Sequence, residues 1–169
     1  MAAGTVSDKI AHGLWAVYDR ELPKDVRKVV EIGVYNGDSL RLLRKKYPNA
    51  VIIGVDCSPC LSDPGEDFIF VRMDQTDTAL GTLCLDADVV IDDASHIGSL
   101  TQQTFDNIWP NLKPGARYFI EDWTPWMLPD MGAVVDAATT RVLSEGGAVQ
   151  TWLDEPAVAK DASLALFIK

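Results

Sequence analysis

The sequence predicts an α/β domain built on a mainly parallel sheet, and three observations carry that reading. Short apolar runs alternate with amphipathic stretches along most of the chain. Those runs are rich in Val and Ile and nearly continuous, as strands buried on both faces are. The last two, Val149–Leu153 and Leu164–Ile168, have no helical stretch between them, which predicts a terminal antiparallel pair.

Each element follows from local pattern. Residues 5–20 are expected to form an amphipathic helix with Ile10, Leu14, Val17 and Tyr18 on one face. Val26–Ile32, closed by Gly33, reads as the first strand. Residues 38–47 form a helix with Leu40, Leu42 and Leu43 inward, stopped by Pro48. Val51–Val55 is the second strand, ending at Asp56, and Phe68–Met73 the third. A short helix is expected around Thr78–Leu83, then a fourth strand over Ala87–Ile91. Ser99-Leu-Thr-Gln102 has the spacing of a capping box, opening a helix that runs through Trp109 and ends before Pro114-Gly115. Arg117–Ile120 is the fifth strand, and residues 130–144 a further helix closed by Gly146-Gly147.

Composition bounds the function. A chain of 169 residues with 47% hydrophobic and 24% charged residues is expected to be one soluble domain, a short helical segment (1–25) preceding a core (26–169). No apolar run approaches the ~20 residues of a membrane span. The first residues lack a basic region followed by an apolar stretch, so the cytoplasm is the expected location. A net charge of −10 argues against a nucleic-acid surface, which needs clustered Lys and Arg. Cys57-Ser-Pro-Cys60 has redox-like spacing, but the loop-like residues after it and the lack of further ligands favour a structural reading.

The chemistry is expected at strand ends. Val-Val-Ile-Asp92-Asp93-Ala-Ser-His96 and Tyr-Phe-Ile-Glu121-Asp122 each break from an apolar run into carboxylates. Were those strands neighbours, about 4.8 Å apart, up to four carboxylates would share one rim beside His96. Such a cluster repels itself unless a hard cation such as Mg²⁺ or Ca²⁺ resolves it. Glu31-Ile-Gly33-Val34-Tyr35-Asn36-Gly37 follows the first strand, where glycines permit a tight turn and close approach of backbone to ligand. Its spacing is not that of a dinucleotide fingerprint, which disfavours a nicotinamide enzyme. Asp56, 25 residues beyond Glu31, is placed to accept ribose hydroxyls, and Asp74-Gln75 to meet an adenine edge.

With these signals in register at successive strand ends, the chain resembles the class I S-adenosylmethionine (SAM) methyltransferases from about Lys28 to Trp123. The resemblance implies a seven-stranded sheet of order 3-2-1-4-5-7-6, its last strand antiparallel. It also implies SAM binding by Glu31, Gly33, Val34, Tyr35, Asn36, Gly37, Asp56, Cys57, Asp74, Gln75 and Asp92. The two acidic motifs are similar to those of metal-dependent macrolide-sugar O-methyltransferases of the mycinamicin type. Carried over, Asp93, Glu121 and Asp122 bind Mg²⁺, and His96 is the general base, with Asp93 beside it in the catalytic pair. The run from Phe105 through Trp109-Pro110 to Pro114-Gly115 fits the same family, although Ala94 and Ala116 stand where its members usually have Gly.

The function so implied is methylation of a hydroxyl on a small molecule, a sugar or other vicinal diol, without nucleic-acid or membrane partners. Trp123 and Trp126 are candidate walls of the substrate pocket. The short stretch before the first strand leaves that pocket incomplete, which predicts a homo-oligomer. The competing expectation is a SAM-binding protein or pseudoenzyme without metal-dependent transfer.

Overall fold

Continuous burial along the central strands sets the architecture. A computed structural model of the chain describes residues 7–153 and 162–169. Seven strands are hydrogen-bonded into one sheet: β1 (Lys28–Ile32), β2 (Val51–Asp56), β3 (Ile69–Arg72), β4 (Val89–Asp92), β5 (Arg117–Glu121), β6 (Ala148–Trp152) and β7 (Leu164–Ile168). Their order is β3-β2-β1-β4-β5-β7-β6, as the resemblance implied. The pairings from β3 through β5 are parallel, and β7 runs antiparallel to both β5 and β6.

Alternate residues of each strand enter different cores. Val30, Ile53, Val90, Tyr118 and Phe167 pack with α4 (Ala79–Leu83), α5 (Gly98–Ile108) and α6 (Pro129–Ser144). Val29, Ile52, Ile91, Phe119 and Leu166 pack on the other face against α2 (Leu14–Glu21) and α3 (Asp38–Lys46). Helices on both faces explain why the strands read as continuous apolar runs. Among the described residues, no helix is long and apolar enough to cross a membrane.

Two local expectations are corrected. The expected helix over residues 5–20 is broken (residues 5 and 6 lie outside those described). A one-turn α1 (Asp8–Ala11) is separated from α2 by His12 and by Gly13, whose φ of 78° is left-handed. That bend turns Lys9 into the protein and leaves Ile10 45% exposed, the reverse of the expected inner face. The capping box is not formed either. α5 begins at Gly98, so Ser99 already lies inside the helix, and Ile97 precedes it without a side-chain cap. The cap comes from α6 instead, where Asp130 Oδ2 accepts the Gly98 N–H at 2.9 Å. Asp130→Ala is therefore expected to cost about 1 kcal/mol, in the range of other capping losses. Ser99→Ala should leave the thermal midpoint nearly unchanged.

Candidate active site

The strand order reverses between β1 and β4, which opens a crevice beyond their carboxyl ends. Gly33 closes its floor. Its N–H donates to the Val55 carbonyl at 2.8 Å, and the neighbouring Asp93 N–H donates to the Ile32 carbonyl at 2.9 Å. Gly33 has a φ of +92°, and a Cβ there would lie 1.9 Å from the Asp93 carbonyl oxygen. No other residue fits this crossing. The turn that follows is organised by Asp56, whose Oδ2 accepts the N–H groups of Val34 (2.9 Å) and Tyr35 (3.3 Å). Its Oδ1 accepts the Ser58 N–H at 2.8 Å. Partial burial would raise the Asp56 pKa, but these backbone donors outweigh it and hold the carboxylate below its ordinary value.

The same alternation that divides the core divides the acids. Glu31 and Glu121 share the face of Val29 and Phe119, and Asp93 turns to that side as it leaves β4. Asp92 belongs to the opposite face, where it accepts the Tyr118 hydroxyl at 2.9 Å. The expected rim of four acids is therefore made of Glu31, Asp93, Glu121 and Asp122, without Asp92. A one-residue step along a strand reverses the side chain's direction, which is why Asp92, still on β4, points away from the face that Asp93 joins.

A lysine sits among them. Lys9 Nζ lies 2.6 Å from Asp93 Oδ2, 2.5 Å from Glu121 Oε1 and 3.4 Å from Glu31 Oε1. Tyr18 donates its hydroxyl to the same Glu121 oxygen at 2.6 Å, and Ser39 donates to both oxygens of Glu31. Burial alone would lower the Lys9 pKa, but the three carboxylates win and hold it well above the ordinary value. Burial also pushes up Glu31 and Glu121, with the Asp93 charge adding to both, against the pull of Lys9. Three carboxylates share one ammonium, so its charge does not fully offset the burial of Glu31 and Glu121. Asp122 rises as well, through burial and then the Asp93 charge.

On the outer side, His96 Nε2 lies 3.6 Å from Asp93 Oδ1. Carboxylate or imidazole atoms of Asp93, His96 and Asp122 come within 4.8 Å of one another, and so do those of Glu31, Asp93 and Glu121. Asp93 links the two groups. Tyr35, His96 and Asp122 have φ values of 51°, 52° and 51°, left-handed conformations that cost a non-glycine residue roughly 1–3 kcal/mol each. All three line one cavity of roughly 900 Å³, large enough to take a nucleoside ligand beside a small acceptor.

That cavity is lined by Gly33, Val34, Tyr35, Asn36 and Asp56 together with Asp93, His96, Glu121 and Asp122. Ser7, Asp8, Lys9 and His12 form a further wall. Glu31 is fully buried beneath the cluster. Gly37 opens α3 against the Phe68 ring, and Cys57 is exposed. Asp74 accepts the Thr76 N–H and hydroxyl, and Gln75 exchanges hydrogen bonds with Thr104. These four and Asp92 are not among the lining residues, so Asp74 and Gln75 serve the turn and α5 in this structure. Trp123 is buried in the core and Trp126 is 55% exposed; neither lines the cavity. Sequence reasoning missed Lys9, because a continuous helix was assumed. The signal was Gly13, a helix breaker inside the apolar period.

Asp92 makes a prediction about pH. Burial lifts its pKa to about 7, with the Asp93 charge adding and the Tyr118 bond opposing. A carboxyl with a raised folded pKa binds an extra proton in the folded state, so its stabilising effect is present at low pH. It is lost as pH rises from about 4 toward 7. Unfolding of the ligand-free protein should show stability falling between about pH 4 and 7, with Asp92 contributing on the order of 4 kcal/mol at most. Asp92→Asn should flatten that slope; an unchanged slope would remove Asp92 as its source.

No family model matches the chain. Demethylmacrocin O-methyltransferase of Streptomyces fradiae is 30% identical over 139 residues, covering 75% of this chain and 35% of that protein. Mycinamicin VI 2''-O-methyltransferase of Micromonospora griseorubida is 32% identical over 142 residues, covering 70% and 33%. The chain thus spans about a third of the length of these relatives. Among solved structures, the MycE methyltransferase of the mycinamycin pathway, in complex with Mg, SAH and mycinamycin VI, superposes with a TM-score of 0.65. That match has 21% identity and covers 89% of this chain and 47% of MycE, a likeness of fold. By its sheet order and its structural likeness, the chain has the class I methyltransferase fold, and over that core it is similar to natural-product sugar O-methyltransferases.

Proposed function

We propose that this domain transfers a methyl group from SAM to a hydroxyl of a small sugar-like or other vicinal-diol molecule, with Mg²⁺ assistance and His96 as general base. The observation that carries the reading is the meeting of the Gly33–Asn36 turn with Asp93, His96, Glu121 and Asp122 across a single cavity. The turn and Asp56 offer a nucleoside a close backbone and an ionised acceptor for ribose hydroxyls. Both Asp56 oxygens already accept backbone N–H groups, yet a carboxylate has about four lone-pair sites, so capacity remains.

The acidic rim suits a hard cation. Its donors fall in two groups that share Asp93, one with Glu31 and Glu121 and one with His96 and Asp122, each within 4.8 Å, and an ammonium already sits on the first as a stand-in for positive charge. Asp93, Glu121 and Asp122 would hold Mg²⁺, which when bound lowers the pKa of adjacent hydroxyls and orients them. His96 takes the hydroxyl proton as the oxygen attacks the methyl carbon; the carbon–sulfur bond breaks and its electron pair stays on sulfur. Asp93 Oδ1, beside the imidazole, stabilises the imidazolium that results. The chain's own contribution is positioning and charge compensation, since the sulfonium is already a strong electrophile.

The test is methyl transfer from labelled SAM to a panel of glycosylated and diol acceptors, followed by mass spectrometry with Mg²⁺ and with EDTA. A product that gains one methyl and requires the metal supports the reading. Transfer unaffected by EDTA would remove the metal from it. SAM binding without transfer to any acceptor would favour the silent binder.

A further inference from the structure

Lys9 reaches the acidic cluster from an element with little else to hold it. α1 is a single turn, too short to be stable alone, and the left-handed Gly13 separates it from α2. Its one apolar side chain of size, Ile10, is 45% exposed, whereas Lys9 is 5% exposed with its ammonium against three carboxylates. The ion contacts of Lys9 are thus the main tie between this turn and the body of the protein. Two of those carboxylates, Asp93 and Glu121, are among the three assigned above to the divalent ion.

One place cannot serve both cations. A Mg²⁺ ion sits about 2.0–2.1 Å from its oxygens, which puts it almost where Nζ lies, and two cations at that separation repel strongly. We propose that Lys9 is a tethered cation that competes with the divalent ion for Asp93 and Glu121, so that metal binding releases the α1 turn from the cavity wall. The proposal rests on the metal reading of the site. Its consequence is reciprocal: whatever holds α1 down weakens metal binding, and the metal loosens α1 by the same factor. Because Ser7, Asp8 and His12 also line the cavity, withdrawal of the turn widens the acceptor side when the ion arrives.

The test compares the full chain with Lys9→Met and Lys9→Arg, each confirmed folded by its SAM affinity and circular dichroism. Mg²⁺ is titrated calorimetrically, and hydrogen exchange is followed at the amides of Ile10, Ala11, His12 and Gly13, which the turn protects. Lys9→Met is expected to bind Mg²⁺ at least about tenfold more tightly than the full chain. Lys9→Arg, which keeps the charge, should remain weak. Saturating Mg²⁺ should speed exchange at those four amides in the unmodified chain. If Lys9→Met fails to fold, the exchange measurement on the unmodified chain and on Lys9→Arg decides the matter. Equal or weaker Mg²⁺ binding by a folded Lys9→Met, or unchanged exchange in a chain that binds Mg²⁺, overturns the competition and leaves the metal reading intact. No Mg²⁺ binding by any of the three proteins overturns both.

Discussion

Replacing His96 by Ala is expected to slow methyl transfer about 10²–10⁴-fold, the usual contribution of a positioned general base. SAM affinity should stay within about twofold, because the proposed nucleoside contacts come from the Gly33–Asn36 turn and Asp56 and not from His96. The expectation follows from where the imidazole sits. His96 faces the cavity beside Asp93 Oδ1, on a backbone held at a φ of 52°. An ordinary residue pays for that conformation without gain unless the side chain is needed there. Alanine tolerates it poorly, so His96→Asn is the companion variant. Asparagine visits left-handed conformations readily and cannot act as a base. Both variants should lose turnover together and keep SAM binding. Retention of turnover by folded His96→Asn would mean that another group, or the solvent, takes the proton.

Gly33→Ala should remove both stability and SAM binding. The substitution places a methyl 1.9 Å from a backbone oxygen, and that oxygen belongs to Asp93 at the mouth of β4. Backbone cannot swing aside as a flexible side chain can, so β1 and β4 must separate where the site is built. Left-handed strain adds roughly 1–2 kcal/mol to the clash. A total of about 3–5 kcal/mol would place this change among the exceptional ones and lower the thermal midpoint by roughly 10 °C or more in a domain of this size. Gly65→Ala is the control. It shares a positive φ of 54° but has open space around it, so only the strain should register. Equal shifts for the two variants would contradict a close crossing of Gly33 and Asp93.

The fold was legible because burial on both faces leaves a strong trace in sequence. Val29-Val30, Ile52-Ile53 and Val89-Val90-Ile91 feed two cores at once, which only a helix-covered parallel sheet allows. Strand ends were equally readable, since Gly33, Asp56 and the two acidic pairs interrupt those runs abruptly. What sequence could not give was direction and long-range partnership. Asp92 and Asp93 are adjacent letters with opposite fates, one held by Tyr118 and the other by Lys9. The Asp130 cap of α5 comes from 32 residues downstream, while a well-spaced Ser99–Gln102 pair lies unused. Lys9 is the clearest case. A basic residue near the N-terminus looks like a solvated charge, and its role depends on a bend at Gly13 and on carboxylates 84 and 112 residues away.

The most direct test of the central claim is calorimetric titration of the chain with SAM, performed in Mg²⁺ and again in EDTA, with Asp93→Ala alongside. The account predicts saturable SAM binding in both buffers, plus a separate Mg²⁺ event that Asp93→Ala abolishes while SAM still binds. Absence of SAM binding in either buffer would contradict it.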